Sequence, residues 1–427
     1  MAMQSILWMP GLALAQTEIA LWVTGEPGTA VVYEEIAAQY NRLHPETRIV
    51  VTKNSSDIFN PALVPALSSG EGPDLFSFGT GPGQPAALIE GGLVADLTPY
   101  YRQYGWARTL PASVIAVTAS DGKLWAIGNE VETTAMVYNK DIFQKLGLSP
   151  PKTFQELADT VGKLKQAGYE IPIGLGGADR WPISHWQSMM FGRYAGPEGL
   201  QNVMFGDGRW NAPVFVAAAA KLQQMATDGF FGPNPTASGF AEVMEQVWAG
   251  KIPMTFTGSF VVPTGVKTAA DRIADFGVFQ IPPFENGQPE YATESIGSGW
   301  YANAASRNKD EIASFLDYVF FSPESRLTLL NNGTVPVGDL DEILAKANIP
   351  ELAREFSKTA DQSRANGTIY AFLDTVTPAD MTTVTYDGLQ ALLLGQMTPQ
   401  QFADDVEAVW ATAKAEGKVL KPGTVPN

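Results

Sequence analysis

Strand-like and helix-like segments alternate from about residue 17 onward, and this alternation restricts the fold more than any other feature of the chain. IALWVT (19–24), RIVVTK (48–53) and DLFSFG (74–79) have the composition of strands, and helical patterns separate them. The first helix is predicted from about Ala30 to Leu43. A β-α-β-α-β order favours a largely parallel sheet with helices on both faces, so the predicted class is α/β.

A second α/β unit is predicted from PPKTFQELADTVGKLKQAG (150–168). Thr153 is placed to cap a helix, Glu156 to complete a capping box and Gly168 to end the helix. The IPIGL segment that follows has a strand pattern.

Near the C-terminus, TPQQF repeats the same signal, with Thr398 as the cap and Gln401 closing the box. A chain of 427 residues is too long for one ordinary core and long enough for two. The sequence therefore predicts two α/β units in succession.

Composition excludes several classes of function. Lys+Arg 28 against Asp+Glu 45 gives a net charge of −17, so nucleic acid and anionic membranes are poor partners. The absence of cysteine excludes disulfides, thiolate metal sites and cysteine nucleophiles. Neither His44 nor His185 stands near a nucleophile motif, and the chain has no run of metal ligands such as H-E-x-x-H. No metal and no cofactor are predicted.

The N-terminal segment SILWMPGLALAQ is apolar from Ile6 to Ala15 and ends in a small-x-small pattern before Gln16. No Lys or Arg precedes it, so residues 1–16 are interpreted as a signal-peptide remnant whose start is truncated or mis-assigned. This interpretation predicts a periplasmic or secreted protein. The segment is shorter than the ~20 apolar residues that a membrane-spanning helix needs.

Two closely spaced acids in GNEVETTAMVYNKDIF, Glu130 and Glu132, allow three readings: a catalytic pair, a binding site for hydroxyl groups, or surface charge. On a strand they point to the same face, ~6.6 Å apart along the chain. That spacing is close to the carboxyl spacing of inverting glycosidases, but those carboxyl groups flank the scissile bond from opposite sides. Neighbours on one strand stand side by side, which favours hydrogen bonding to a polyol.

Several motifs in order resemble the family 1 extracellular solute-binding proteins of ABC sugar importers. They include LWVTGE, SGEGPDLFSF, TTAMVYNKDIFQKLGL, WAGKIPMTFTGSF and GSGWYANAASRNKDEIASFLDYVFFSPES. The resemblance runs from about residue 17 to the end. It implies the class II periplasmic binding protein fold, in which two α/β lobes are joined by three crossovers and a ligand cleft lies between them.

The implied crossings lie near residues 129–133, 295–299 and 336–340. The implied domains are an N-lobe of residues 17–130 and 299–337 and a C-lobe of residues 131–298 and 338–427. Ligands of open α/β sheets bind beyond the carboxyl ends of the strands, which agrees with a cleft at these crossings.

The resemblance also implies ligand-binding residues. Two acidic positions of the family's cleft fall on Glu26 and Glu132, and Glu130 is assigned to the same site as the neighbour of Glu132. The family's aromatic positions imply sugar stacking by Phe78, Phe260, Trp181 or Trp186, and Trp300.

The implied function is capture of a mono- or oligosaccharide by a monomer that delivers it to an ABC permease, with no catalysis. Gly81-Pro82 stands where maltodextrin-binding relatives have an Asp-Arg pair, which disfavours maltodextrin. Two alternatives remain open: a secreted carbohydrate-active enzyme and the same fold binding a non-sugar solute.

Overall fold

The computed structural model describes residues 16–24, 27–54, 56–81, 83–128, 130–284, 292–365, 369–419 and 425. Residues 1–15 of the predicted signal-peptide remnant and the predicted ligand residue Glu26 lie outside the described residues.

The strands are β1 Thr17–Thr24, β2 Thr47–Asn54, β3 Leu75–Gly79, β4 Ala119–Ser120, β5 Lys123–Leu124, β6 Ala126–Gly128, β7 Glu132–Asn139, β8 Ile173–Gly174, β9 Met254–Gly258, β10 Phe276–Phe279, β11 Ala292–Ser295, β12 Ser298–Ala302 and β13 Ile369–Tyr370. The helices are α1 Pro27–Leu43, α2 Ser56–Ser69, α3 Ala86–Glu90, α4 Thr98–Gln103, α5 Ala112–Thr118, α6 Lys140–Lys145, α7 Phe154–Gln166, α8 Trp181–Phe205, α9 Pro213–Thr227, α10 Phe240–Trp248, α11 Val262–Thr268, α12 Lys309–Phe321, α13 Pro323–Asn331, α14 Asp341–Leu344, α15 Glu351–Ala365, α16 Leu373–Val376, α17 Ala379–Leu393 and α18 Pro399–Ala415.

The strands form two main sheets, which confirms the predicted two-lobed α/β fold. The N-lobe sheet has the order β2-β1-β3-β12-β6, and the C-lobe sheet has the order β13-β11-β7-β9-β8, with β10 also pairing with β7. In the N-lobe, β1 is parallel to β2 and β3, as predicted. The prediction of a largely parallel sheet is nevertheless wrong for the rest of this sheet, because β12 is antiparallel to both β3 and β6.

The direction of β12 follows from where it enters the sheet. Its first residue, Ser298, pairs with Gly79, the last residue of β3. The chain arrives from the other lobe at the end where β3 finishes, so β12 runs back along β3. The C-lobe strand β7 likewise starts at the lobe junction and is antiparallel to β9 and β11.

Helices cover the sheets because their apolar residues recur at helical spacing. In α1, Val32, Tyr33, Ile36, Ala37 and Tyr40 are buried, which places one face of the helix against the N-lobe sheet. This face joins a core that also contains residues of β12, α12 and α13.

The chain passes between the two sheets at short connections. One connection lies between β6 and β7 and another between β11 and β12, where only Ile296 and Gly297 intervene. A third segment lies beside the first, since the Val131 N–H donates to the Val335 carbonyl over 3.2 Å and Glu130 bridges to Pro336. The lobe limits assigned from the resemblance stay a prediction.

The two predicted capping boxes differ in outcome. At α18, the Thr398 hydroxyl accepts from the Gln401 N–H, and the Gln401 side chain accepts from the Thr398 N–H, so this box is confirmed. At α7, Thr153 accepts from the Glu156 N–H over 3.1 Å. The Glu156 carboxylate, however, accepts from Lys152 instead of from the cap residue, so the reciprocal half of that box is wrong. Gly168 follows this helix with φ of 94°, a conformation that favours glycine.

We predict that Thr398→Ala lowers the free energy of unfolding by about 1 kcal/mol, because the substitution removes the side-chain acceptor at the start of α18. Thr412→Ala on the same helix is the matched control, since Thr412 is exposed and its hydroxyl bonds only within the helix. Urea unfolding of both variants measures the effect. Equal stability of the two variants would show that the cap contributes nothing.

Candidate ligand site at the lobe junction

Glu130 and Glu132 are both buried at the connection between β6 and β7. Their side chains are 4% and 6% exposed, which rules out the surface-charge reading. Glu132 opens β7 and pairs with Ser295, the last residue of β11. Its carboxylate lies against Gly297, where an added Cβ would stand 2.3 Å from Oε2. Glu132 is therefore enclosed by the two connections that join the lobes.

A third buried carboxyl group, that of Asp374 in α16, belongs to the same environment. Its side chain is 5% exposed, and it acts electrostatically on Glu132. The two residues are also linked through the backbone, because Ser295 beside Glu132 bonds through its hydroxyl to Thr375 over 3.0 Å. Sequence reasoning missed Asp374, since no motif or periodic pattern distinguishes it from other acids of the C-lobe.

Burial raises the pKa of all three carboxyl groups. It brings the pKa of Glu130 to about 8. Burial, and then the charges of Glu130 and Asp374, hold the pKa of Glu132 well above its ordinary value. The pKa of Asp374 rises to about 6 through burial, partly offset by the Tyr386 hydroxyl and nearby backbone N–H groups. The site thus places three acidic groups close together away from water, which favours their protonated forms in the absence of a ligand.

Asp374 is only partly hydrogen-bonded. Its Oδ2 accepts from the Tyr386 hydroxyl over 2.8 Å, whereas its buried Oδ1 lacks a hydrogen-bond partner among the described residues. The backbone N–H groups at 374 and 375 lie near enough to act on the pKa, but their geometry leaves Oδ1 without a hydrogen bond. Asp374 and Tyr386 line a cavity together with Thr377, which follows α16, and with the polar side chains of α8 and α17, namely Ser184, Gln187, Thr382 and Thr385.

An aromatic cluster lies beside these carboxyl groups. Trp181 and Phe260, both half-buried, have ring centroids 5.7 Å apart, and Trp181 also contacts Phe240 at 4.5 Å. His185 stacks on Phe372 with centroids 4.2 Å apart. The cluster connects to the acids because Ser259, the neighbour of Phe260, accepts from the Thr133 N–H over 3.2 Å. The structure therefore brings together Trp181 and Phe260, and the hydrogen bond from Thr133 to Ser259 joins the chain beside Phe260 to the chain beside Glu132; a common role in ligand binding stays a prediction.

His185 is a neutral member of this cluster. Burial lowers the pKa of its imidazole to about 3, so the ring carries no charge at neutral pH. Its Nδ1 is buried without a hydrogen-bond partner among the described residues. His185 thus contributes a polar ring edge and no positive charge.

Two predicted stacking residues are instead core residues, so their assignment to the cleft wall is wrong. Trp186 is 0% exposed and packs on Phe256 at 4.9 Å, inside the C-lobe core. Trp300 is also 0% exposed and contacts Tyr33 at 4.6 Å, inside the N-lobe core. In both cases strand or helix periodicity turns the indole toward the interior of its own lobe.

The remaining predicted aromatic residue, Phe78, lies apart from the cluster. It is half-buried near the end of β3, and its ring is edge-on to Tyr301 at 6.5 Å. Its packing is with an N-lobe cluster that includes Leu88 and Val94. A role for Phe78 in ligand binding stays a prediction.

The loop after β3 approaches the C-lobe with backbone alone. An added Cβ at Gly81 would stand 1.5 Å from the Thr375 carbonyl oxygen, and one at Gly83 would stand 2.3 Å from the Thr377 carbonyl oxygen. Gly81 also has φ of 88°, in the region that favours glycine. The contact between the lobes at this point leaves no room for side chains.

The described ranges contain no group of three or more His, Asp or Glu side chains arranged to hold a metal ion. They also contain no helix with the length and apolar character needed to cross a bilayer.

Two lobes that meet at a buried polar site define the class of solute-binding proteins. Residues 26–324 match the family model of bacterial extracellular solute-binding proteins, and the chain belongs to that family. This match confirms the predicted family and the predicted extracytoplasmic location.

Relatives and solved structures agree with this family. The sn-glycerol-3-phosphate-binding periplasmic protein UgpB of Salmonella typhimurium is 26% identical over 332 residues, which are 72% of each chain. A structure described in work on xylan utilization by Caldanaerobius polysaccharolyticus is 22% identical, with a TM-score of 0.80 over 92% of this chain and 99% of that one. A chitin oligosaccharide binding protein is 20% identical, with a TM-score of 0.77 over 93% of this chain and 100% of that one. The two structural likenesses establish the fold.

The raised pKa values predict how the stability of the ligand-free protein depends on pH. Between about pH 5 and about pH 8, the native state holds protons that the unfolded chain releases. The free energy of unfolding therefore falls as pH rises through this range. One group contributes at most about 1.36 kcal/mol per pH unit. We predict that Glu130→Gln flattens the decline of unfolding free energy over this range.

Urea unfolding at several pH values measures that difference between parent and variant. Asp405→Asn, on the exposed face of α18, is the control and should leave the pH dependence unchanged. If the parent and Glu130→Gln show the same pH dependence, the Glu130 carboxyl group does not titrate in this range.

Proposed function

We propose that this solute-binding protein captures a carbohydrate at the lobe junction as a monomer and delivers it to the permease of an ABC importer. The observation that carries the proposal is Glu132, a carboxyl group buried where the two lobes join and enclosed by the connection at Gly297. Sugar hydroxyls are donors that a carboxylate binds with strong, directional hydrogen bonds. Trp181 and Phe260 beside it offer apolar faces for the C–H surfaces of a sugar ring.

The similar proteins support a sugar as the ligand class. Two structures with the same fold are described through xylan utilization and chitin oligosaccharide binding. Delivery to a permease follows from the extracellular solute-binding family to which the chain belongs.

A polyol phosphate is the second candidate, since the Salmonella relative is named for sn-glycerol 3-phosphate. The charges of this site disfavour it. Glu130, Glu132 and Asp374 place their carboxyl groups in a buried, mutually repelling environment, and a phosphate would add further negative charge. We expect a thermal-shift screen to show a higher melting temperature with a mono- or oligosaccharide and no shift with sn-glycerol 3-phosphate.

Catalysis is not needed to explain the acids. Glu130 and Glu132 are two residues apart where β7 begins, whereas a glycosidase needs its acid and base on opposite sides of the bond. A reducing-sugar assay with oligosaccharides that raise the melting temperature should detect no released product. Release of reducing ends at a rate dependent on Glu132 would favour the enzyme instead.

We predict that Glu132→Gln weakens carbohydrate binding roughly ten-fold to a hundred-fold, since losing a charged acceptor costs about 1.5–3 kcal/mol. Calorimetry with a sugar from the screen measures the dissociation constant. Asp405→Asn controls for the change of net charge. An unchanged dissociation constant with Glu132→Gln would place the sugar elsewhere.

We predict that Trp181→Ala and Phe260→Ala each weaken sugar binding, because each removes a half-buried aromatic ring whose open face is suited to stacking on the sugar. Trp300→Phe is the contrasting variant: it changes a core residue and should lower the melting temperature without changing affinity. Titration followed by intrinsic fluorescence gives the affinities. If Trp300→Phe loses affinity and the other two variants do not, then Trp300 contacts the sugar and Trp181 and Phe260 do not.

A further inference from the structure

The lobe junction contains buried acidic side chains that are not matched by basic ones in the part of the chain that the structure describes. Neither Glu132 nor Asp374 forms an ion pair with a basic side chain among the described residues. Arg180 acts electrostatically on Tyr386, the partner of Asp374, but its guanidinium group bonds Asp387 over 2.6 Å and is 45% exposed. Burying carboxylates without a compensating cation is costly, so a cationic group is the complement that this environment lacks.

Unsatisfied polar atoms point to a ligand group at the same place. Asp374 Oδ1 is buried without a hydrogen bond, beside the cavity that Asp374 and Tyr386 line. Independently, His185 Nδ1 is buried and lacks a partner among the described residues. His185 stacks on Phe372, two positions before Asp374. These unmade hydrogen bonds lie on two elements, α8 and α16, and each is one that a polar ligand group would complete.

The aromatic neighbours are compatible with positive charge. Trp181 and Phe260 present ring surfaces, and His185 is neutral because of its burial. The faces of aromatic rings attract cations electrostatically. These rings therefore favour a positively charged ligand group over a neutral hydrogen-bond donor. The described residues offer no cluster suited to a metal ion, so the cation that fits is an organic one.

We propose that the bound solute carries a protonated amino group that is held by Glu132 and Asp374, which makes an amino sugar the ligand class. The inference rests on the proposed carbohydrate function and narrows it. The ammonium group donates to both carboxylates, and the sugar ring lies against Trp181 and Phe260.

Matched sugars test the inference, because they differ only in the group at one ring carbon. D-glucosamine, N-acetyl-D-glucosamine and D-glucose are compared by thermal shift and calorimetry, as are chitosan, chitin and cellulose oligosaccharides. The corresponding galacto and manno monosaccharides extend the comparison, and spermidine serves as an amine without a sugar ring. We expect an amino sugar to bind at least about ten-fold more tightly than its neutral counterparts.

Variants assign that preference to the carboxyl groups. Glu132→Gln and Asp374→Asn should each reduce the ratio of amine to neutral affinity, whereas Asp405→Asn should leave it unchanged. Circular dichroism and melting temperature establish that each variant is folded. A preference that persists in both folded amide variants would overturn the assignment to these residues.

The remaining outcomes separate the two proposals. Neutral sugars that bind as tightly as their amino forms overturn the amino-group inference and leave the carbohydrate function standing. If spermidine binds and no sugar binds, the carbohydrate function is overturned, while recognition of a protonated amino group is retained. No response to any member of the panel overturns both.

Discussion

Burial of Glu132 between the connections of the two lobes is the constraint on which the rest of the site depends. The strand β7 starts at this residue, and the return connection passes over its carboxyl group at Gly297. A buried charge of this kind is normally paired or hydrogen-bonded. Here Glu130 and Asp374 add charge of the same sign. The protein therefore buries three acidic groups close together where the lobes join, and groups with such strongly shifted pKa values are common at functional sites.

Much of the fold follows from the sequence because its signals are local. The alternation of strands and helices gave the two lobes, and the Thr398 capping box is present as predicted. The direction of β12 was not predictable from local patterns, because it depends on the lobe from which the chain returns. For the same reason, the sequence indicated Glu132 at a connection but did not bring Asp374, more than 240 residues later, beside it.

The tryptophans show where residue type misleads. Indoles are suited both to sugar stacking and to core packing, and composition does not separate the two uses. Trp181 stands at the start of α8 and remains half-buried, whereas Trp186, little more than one turn later, is enclosed in the core. On β12, the side chain of Trp300 points into the N-lobe core and contacts Tyr33. The distinction depends on which face of each element meets its own lobe, and only the packed structure supplies it.

The close approach of the loop at Gly81 and Gly83 to α16 and the residue that follows it acts as a mechanical stop. Backbone meets backbone there, at Thr375 and Thr377, and protein interiors resist compression. The two segments cannot draw nearer than this contact allows, so their separation is set by the main chain. It is independent of the chemistry of the side chains around it.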